Sequence, residues 1–268
     1  MTLFEKTQQR LQELKINPKK SLGQNFLVSD RIVQQIIERV RAVQPLSLIE
    51  IGPGLGALTD SLLDLGIPLK LIELDQVFYQ FWKSRNVDVM NVDALQWHWK
   101  VADPNSTLLV SNLPYQISSR VVVDRTLDDL KLRGMILMFQ KEVAQKIRAK
   151  IKTEHYGMLG IFTQTFWRVE KVLDAGTVDF FPPPKVASQV LFFEPISSRL
   201  DSKKFLKLLK AAFSHPRKIL ISNLSALTPR ENLEPIFKTL GFLEKTRAEQ
   251  LSIDDFHELY DRLETEWL

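Results

Sequence analysis

A chain of 268 residues, 44% hydrophobic and 25% charged, carries enough apolar material for a sizeable core, and its length suits one large domain with a smaller appendix better than two equal halves. It contains no cysteine, which excludes disulfides, zinc-thiolate sites and thiol catalysis and points to a reducing, cytoplasmic setting. The four histidines, His98, His155, His215 and His257, lack ligand spacing, so no metal is expected; no apolar run approaches the ~18 residues of a membrane span, and the net charge of +4 is mild.

In chain order, the N-terminal stretch has Glu5, Gln8, Gln9 and Glu13 where a secretory signal would need an apolar core, and it is followed by Lys15, Lys19 and Lys20. Residues 30–43 have a helical period, with Ile32, Val33, Ile36, Ile37 and Val40 on one side and Ser29 or Asp30 suited to the N-cap. Short apolar runs of buried-strand type follow at 46–51, 69–74, 87–92, 107–110 and 135–139, with helical stretches between several of them. That alternation predicts a doubly wound, mostly parallel sheet whose ligands bind beyond the carboxyl ends of the strands. Two more runs, 160–172 and 188–194, flank Phe180-Phe181-Pro182-Pro183-Pro184-Lys185 and are expected to form an antiparallel closing pair. Past Pro195 the pattern is helical, with Phe205, Leu206, Leu209, Ala212 and Phe213 at helix spacing. The expected division is 1–197 as an α/β domain with an N-terminal arm and 198–268 as a small helical domain.

The first strand runs into Glu50-Ile51-Gly52-Pro53-Gly54-Leu55-Gly56-Ala57-Leu58-Thr59, a glycine-rich turn opening a helix, where small residues let a cofactor approach the backbone. At the end of the next strand Glu73 is placed to grip both ribose hydroxyls of an adenosine cofactor. Asp93, after the third, can accept from an adenine amine. Gly52, Gly54 and Ala57 also read as the G-x-G-x-x-A of a nicotinamide enzyme. The compact G-P-G-L-G turn, with no hydride-handling histidine or arginine set after it, suits S-adenosyl-L-methionine better.

The fourth strand ends in Asn112-Leu113-Pro114-Tyr115. An exocyclic amine on a nucleobase is a poor nucleophile because its lone pair is delocalised into the ring. The Asn112 side-chain carbonyl can hold one N–H. Leu113, pushed to an extended conformation by Pro114, can turn its backbone carbonyl toward the other. Tyr115 offers a ring on which a base can stack. Taken alone, the tetrapeptide fits an ordinary strand-to-loop exit equally well.

Basic residues are unevenly spread. Lys141, Lys146, Arg148, Lys150 and Lys152 are opposed only by Glu142, and Lys203, Lys204, Lys207, Lys210, Arg217 and Lys218 lie in a stretch without an acidic residue between Ser202 and Arg230. Either they line a path for a phosphate backbone or they are solvated helix faces. From Glu244 onward the chain is acidic and is expected to face water or the other domain.

These motifs together resemble the ribosomal small-subunit RNA adenine dimethyltransferase family, the KsgA or RsmA type, over nearly the whole chain. The resemblance rests on Lys20-Ser21-Leu22-Gly23-Gln24-Asn25-Phe26-Leu27, Glu50 to Thr59, Ile72-Glu73-Leu74-Asp75, Asp93-Ala94-Leu95, Ser111 to Ser118, Gln140-Lys141-Glu142-Val143-Ala144, Tyr156-Gly157-Met158-Leu159 and Phe181-Pro182-Pro183-Pro184-Lys185-Val186. It implies a Rossmann-like S-adenosyl-L-methionine methyltransferase domain with a helical RNA- and ribosome-binding domain behind it. Asn25 and Leu27 would cover the cofactor, Gly52 and Gly54 touch its methionine part, Glu73 its ribose and Asp93 its adenine. Asn112 would meet both the cofactor and the target amine, while Tyr115 and Phe181 would sandwich the target adenine. Lys146, Arg148, Lys150, Lys207, Arg217 and Lys218 would contact RNA.

The implied reaction places two methyl groups on the N6 of each of two adjacent adenosines in a hairpin loop near the 3′ end of 16S rRNA, within the small ribosomal subunit. Oligomeric state is not readable from the sequence, and a monomer is the default expectation. Loop adenosines splay out at less cost than paired ones. Two positions depart from the family pattern: Pro216 in Phe213-Ser214-His215-Pro216-Arg217-Lys218 stands where an arginine is common, and Val92 where glycine is frequent. The rival readings are a resistance-type methyltransferase of large-subunit RNA adenine, a non-catalytic assembly factor on the same fold and, least favoured, a dehydrogenase.

Overall fold

The computed structural model describes residues 1–18, 24–97, 99, 103–128 and 131–264; Lys19, Lys20, His98 and the first part of the 20–27 motif lie outside them. The strands are β1 (Phe26–Leu27), β2 (Ser47–Ile51), β3 (Leu69–Glu73), β4 (Asp88–Asn91), β5 (Thr107–Asn112), β6 (Gly134–Gln140), β7 (Trp167–Ala175), β8 (Phe180–Phe181) and β9 (Ser188–Pro195). The helices are α1 (Leu3–Glu13), α2 (Asp30–Val43), α3 (Thr59–Leu63), α4 (Gln76–Lys83), α5 (Tyr115–Leu127), α6 (Lys141–Ile147), α7 (Met158–Phe166), α8 (Ser202–Ala212), α9 (Leu220–Leu224), α10 (Arg230–Thr239) and α11 (Ile253–Glu264). They fall into two compact units, Met1–Ala144 with Arg168–Pro195 and Gln145–Trp167 with Ile196–Leu268.

In the first unit seven strands form one sheet in the order β4-β3-β2-β5-β6-β9-β7, and β1 pairs antiparallel with β8. Strands β4, β3, β2, β5 and β6 run parallel, whereas β9 is antiparallel to β6. β5 and β6 are buried along almost their whole length, as expected of central parallel strands covered on both faces. Helix α2 spans the residues its period predicts and buries Ile32, Val33, Ile36, Ile37 and Val40 in a core shared with Leu48, Leu71, Leu108, Val110 and Ile136. Each such side chain contributes roughly 1.5–3 kcal/mol on full burial. From β2 the chain passes outward to β3 and β4 on one side, and from β5 to β6 on the other. The strand order therefore reverses between β2 and β5, and it is beyond the carboxyl ends of that pair that open α/β sheets bind ligands.

Three local readings change. The run at 87–92 is not a buried strand: β4 is the sheet edge, and its Met90 is 39% exposed. Nor is 160–172 a strand throughout. Residues Met158–Phe166 are helical, and only from Trp167 does the chain enter β7, a neighbour of β9. Gly160, Ile161, Phe162, Thr163, Thr165 and Phe166 are all buried, so α7 is covered nearly all round and has no polar face to betray its period. Helix α1 is the third change, an element in what the sequence suggested was only an arm. The Thr2 hydroxyl accepts from Glu5 N and the Glu5 carboxylate accepts from Thr2 N, a capping box.

The second unit is helical. Phe166 packs edge-on against Phe205 of α8, which does the same with Tyr260 of α11. Thr165 Oγ1 is 3.0 Å from His257 Nε2, and the Tyr156 hydroxyl donates to Leu251 O at 2.8 Å. Within the acidic C-terminal stretch, expected to face water or the other domain, α11 buries Phe256, Leu259, Tyr260 and Leu263. On α8, Phe205, Leu206, Leu208, Leu209 and Ala212 face inward while Lys203, Lys207 and Lys210 are exposed.

Candidate active site

A cavity of about 320 Å³ opens beyond the carboxyl ends of β2, β3 and β5, within the ~300–1,000 Å³ typical of small-molecule sites. Three strand exits supply its polar groups. The turn after β2 contributes Gly52, Pro53, Gly54 and Leu55, the end of β3 contributes Glu73, Leu74 and Asp75, and β5 runs out into Asn112, Leu113, Pro114 and Tyr115. Asn25, Leu27 and Asp93 complete the set that the sequence nominated, and all of these line one cavity. Phe26, Thr7, Phe78, Val92 and Ala94 supply further wall.

Gly52 and Gly54 hold φ of 65° and 50°, left-handed values that cost glycine nothing and most other residues about 1 kcal/mol or more. The turn they permit brings Gly54 N to Glu73 Oε2 at 3.1 Å, while Asp75 N donates to Glu73 Oε1 at 2.8 Å. Burial pushes the Glu73 carboxyl up to about 7, opposed by those two amides. Glu50, 2% exposed, accepts from the Thr59 hydroxyl at 2.7 Å. Burial raises it to about 8 against that hydrogen bond, with Asp60 and Glu73 adding to the rise. Asp93 Oδ1 accepts from Leu95 N at 2.9 Å, which fixes the turn and leaves Oδ2 for a ligand.

The tetrapeptide is split between two elements. Asn112 closes β5, paired with Met138 of β6, and Tyr115 opens α5 behind an N-cap Pro114. The neighbouring Ser111 hydroxyl donates to Ile51 O at 2.5 Å, tying the ends of β5 and β2 together. Among the described residues the Asn112 side chain has no hydrogen-bond partner. The half-buried Tyr115 hydroxyl lies 2.7 Å from Ser188 Oγ, and burial raises its pKa against that bond.

Phe181 stands apart from this group. Its backbone pairs with Phe26 across β1 and β8 and it packs against the Phe26 cluster, but only Phe26 lines the cavity, and the Phe181 ring meets Phe4 of α1 at 5.9 Å and 82°. The six basic residues nominated for RNA are exposed and all belong to the second unit, Lys146, Arg148 and Lys150 through its 145–167 segment and Lys207, Arg217 and Lys218 through its C-terminal part. Glu50, Phe26 and Asp75 were visible only as members of motifs, and Thr7 was missed. Its signal was the Thr2-x-x-Glu5 pattern ahead of Leu3, Thr7, Leu11 and Leu14 at helical spacing.

The chemistry of the lining is one-sided. Glu50, Glu73, Asp75 and Asp93 face the cavity, and no lysine, arginine or histidine is among the described residues lining it. A pyrophosphate would meet acidic groups and no cation among the described lining residues, which argues against a dinucleotide. A cationic ligand with ribose hydroxyls finds acceptors at each end and apolar surface between. Residues 15–265 match the ribosomal RNA adenine dimethylase family. The chain belongs to that family.

The family assignment is supported by relatives over nearly their full length. A ribosomal RNA small subunit methyltransferase A of Bdellovibrio bacteriovorus is 49% identical over 260 residues, 94% of this chain and 95% of the relative. Another, of Staphylococcus haemolyticus, is 34% identical over 276 residues, 96% and 93% respectively. Among solved structures, a dimethyladenosine transferase from Plasmodium falciparum aligns with a TM-score of 0.75 at 23% identity over 91% of this chain and 98% of that one. The 23S rRNA methyltransferase ErmE aligns at 0.66 and 23% identity over 90% and 100%. At such identity these neighbours show the fold, which is the Rossmann-like one of rRNA methyltransferases.

Proposed function

We propose that this member of the ribosomal RNA adenine dimethylase family methylates the N6 amines of two adjacent loop adenosines near the 3′ end of 16S rRNA, in the cytoplasm, on the small ribosomal subunit, using S-adenosyl-L-methionine. The observation that carries this reading is the cavity itself: four acidic side chains and, among the described residues, no basic group and an Asn112 amide without a partner at its edge. When bound, the cofactor supplies an electrophilic methyl group carried on a sulfonium. Glu73 would hold the ribose hydroxyls, Asp93 the adenine amine, and Gly52 and Gly54 the methionine part, with Asn25 and Leu27 over it. Glu50, whose burial favours the neutral acid in the free site, would be drawn toward its ionised form by the cationic portion.

For the target, Asn112 Oδ1 and the Leu113 carbonyl would accept the two N–H bonds of the amine, leaving its lone pair directed along the line of transfer. Tyr115 would support the base from one side, its ring fixed by the Ser188 hydrogen bond. Burial keeps that phenol protonated near neutrality, so it acts as a surface and not as a base. Phe181 is proposed for the other side of the base, beside its cross-strand partner Phe26. The second unit, with its two basic stretches, is the proposed RNA contact, and the protein is proposed to act as a monomer.

Incubating the full chain and labelled S-adenosyl-L-methionine with unmodified small subunits, and separately with large subunits, tests the reading. Label in adjacent small-subunit adenosines is the expected result. Label in large-subunit RNA would instead favour the resistance-type activity. Cofactor binding without transfer to either would leave an assembly factor.

A further inference from the structure

We infer that helix α1 is a working part of the cofactor site, and that Arg10 on it is a positioning residue that sets the glycine-rich turn. The inference rests on the reading of the cavity as the S-adenosyl-L-methionine site and extends it to an element outside the family match, which begins at residue 15.

Three consecutive peptide units of the turn are each held by a different side chain. The Gly54 amide donates to Glu73 Oε2 at 3.1 Å, the Gly54 carbonyl accepts from Trp82 Nε1 at 3.0 Å, and the Leu55 carbonyl accepts from Arg10 Nη1 at 2.5 Å. A peptide plane fixed at either its N–H or its C=O cannot flip without breaking that bond. Glu73 and Trp82 come from β3 and α4; the third unit is held at its amide by the turn's own Gly56 N–H to Pro53 O bond at 2.8 Å and, among side chains, at its carbonyl by Arg10 of α1. Arg10 is itself fixed. Its Nη1 and Nη2 donate to Asp60 Oδ2 and Oδ1 at 2.8 and 3.2 Å, and its guanidinium lies 5.2 and 5.8 Å from the ring centroids of Phe81 and Trp82. Lys6 reaches the same Asp60 carboxylate at 2.6 Å.

The side chains leave no room for a methyl group on the turn. A Cβ added to Gly56 would stand 2.6 Å from the Trp82 ring and 2.7 Å from Arg10 Nη1, so the glycine is there to let these two groups close on the backbone. The same helix forms cavity wall: Thr7 is 3% exposed, lines the cavity, and donates its hydroxyl to Leu3 O at 2.8 Å. Arginine is needed because its planar fork serves one carbonyl and a carboxylate together, which an ammonium cannot reproduce with the same geometry. A turn held in its binding conformation before the ligand arrives avoids the ordering cost on binding. Losing Arg10 should therefore weaken cofactor binding while leaving the bound complex competent.

The test is calorimetric binding of S-adenosyl-L-methionine to the full wild-type chain, Arg10→Ala and Arg10→Lys, with transfer kinetics and amide hydrogen exchange of the free proteins. The expected result is about a tenfold or greater loss of cofactor affinity and a matching rise in cofactor KM for Arg10→Ala, with kcat within about twofold, and partial recovery in Arg10→Lys. Exchange should quicken at residues 54–58 in the free protein and stay unchanged in α2 and β5. Wild-type affinity retained within twofold by Arg10→Ala overturns the inference, as does a fall in kcat at unchanged KM or a uniform loss of protection across the first unit. If Arg10→Ala fails to fold, Asp60→Asn, which loosens the fork but keeps Arg10, is read by the same criteria. Failure of the wild type to bind the cofactor would count against the site reading itself.

Discussion

Asn112 and Glu50 border one cavity and make opposite demands on the fold. The Asn112 amide holds nothing together among the described residues, so Asn112→Ala is expected to change stability by less than about 0.5 kcal/mol while lowering methyl transfer by roughly 100-fold or more. Thermal melting beside single-turnover rates checks both halves. Glu50 is costly to keep. Folding raises its pKa from 4.5 to about 8, so between those values the folded state binds more protons and the carboxylate lowers stability as pH rises. Glu50→Gln should be more stable than the wild type by up to about 4 kcal/mol at pH 8, the gap narrowing toward pH 5. A gap independent of pH would mean another group titrates. At this scale the sequence exposes Asn112, Glu73 and Asp93 because each ends or closely follows a strand, and strand ends are where sites in such sheets lie. Phe181 is harder: an aromatic beside prolines says nothing of which face it presents, and here the ring turns to Phe4.

Among the elements, α2 and the central strands could be read because one period ran their full length. Helix α7 could not. A helix apolar on every side has the composition of a strand and the periodicity of neither, and only its neighbours, here α8 and α11, decide. β4 misled for the converse reason, since Val87, Val89 and Val92 look like core but the sheet ends there. α1 was legible in its cap but was passed over as an arm. Thr2→Ala should cost α1 about 1 kcal/mol, seen as faster exchange of its first-turn amides. On α8, Lys203, Lys207 and Lys210 occupy the exposed side at i, i+4 and i+7. Replacing all three by glutamine should reduce the slope of log affinity for small-subunit RNA against log salt by about 2–3, while cofactor binding is unchanged. An unaltered slope would remove α8 from the proposed RNA contact.

For the molecule as a whole, a ligand that binds only the folded first unit stabilises it by about 2.7 kcal/mol at a concentration 100 times its Kd. S-adenosyl-L-methionine should accordingly raise exchange protection around residues 50–58, 73–75 and 112–117 and leave α8 to α11 unaffected. Equal protection in both units would place the ligand elsewhere. The connectivity of the units carries a different consequence. The chain leaves the first at residue 144, returns at 168 and leaves again at 195, so the second unit is made from two separate lengths of chain. During synthesis α7 emerges with Ile161, Phe162 and Phe166 exposed and must wait, through all of β7 to β9, for α8 and α11 to be made. No stop codon can remove the second unit cleanly: ending the chain at 195 would leave those apolar side chains without their cover and liable to aggregate. Truncation after residue 195 therefore does not yield the first unit alone but the first unit with an uncovered apolar helix.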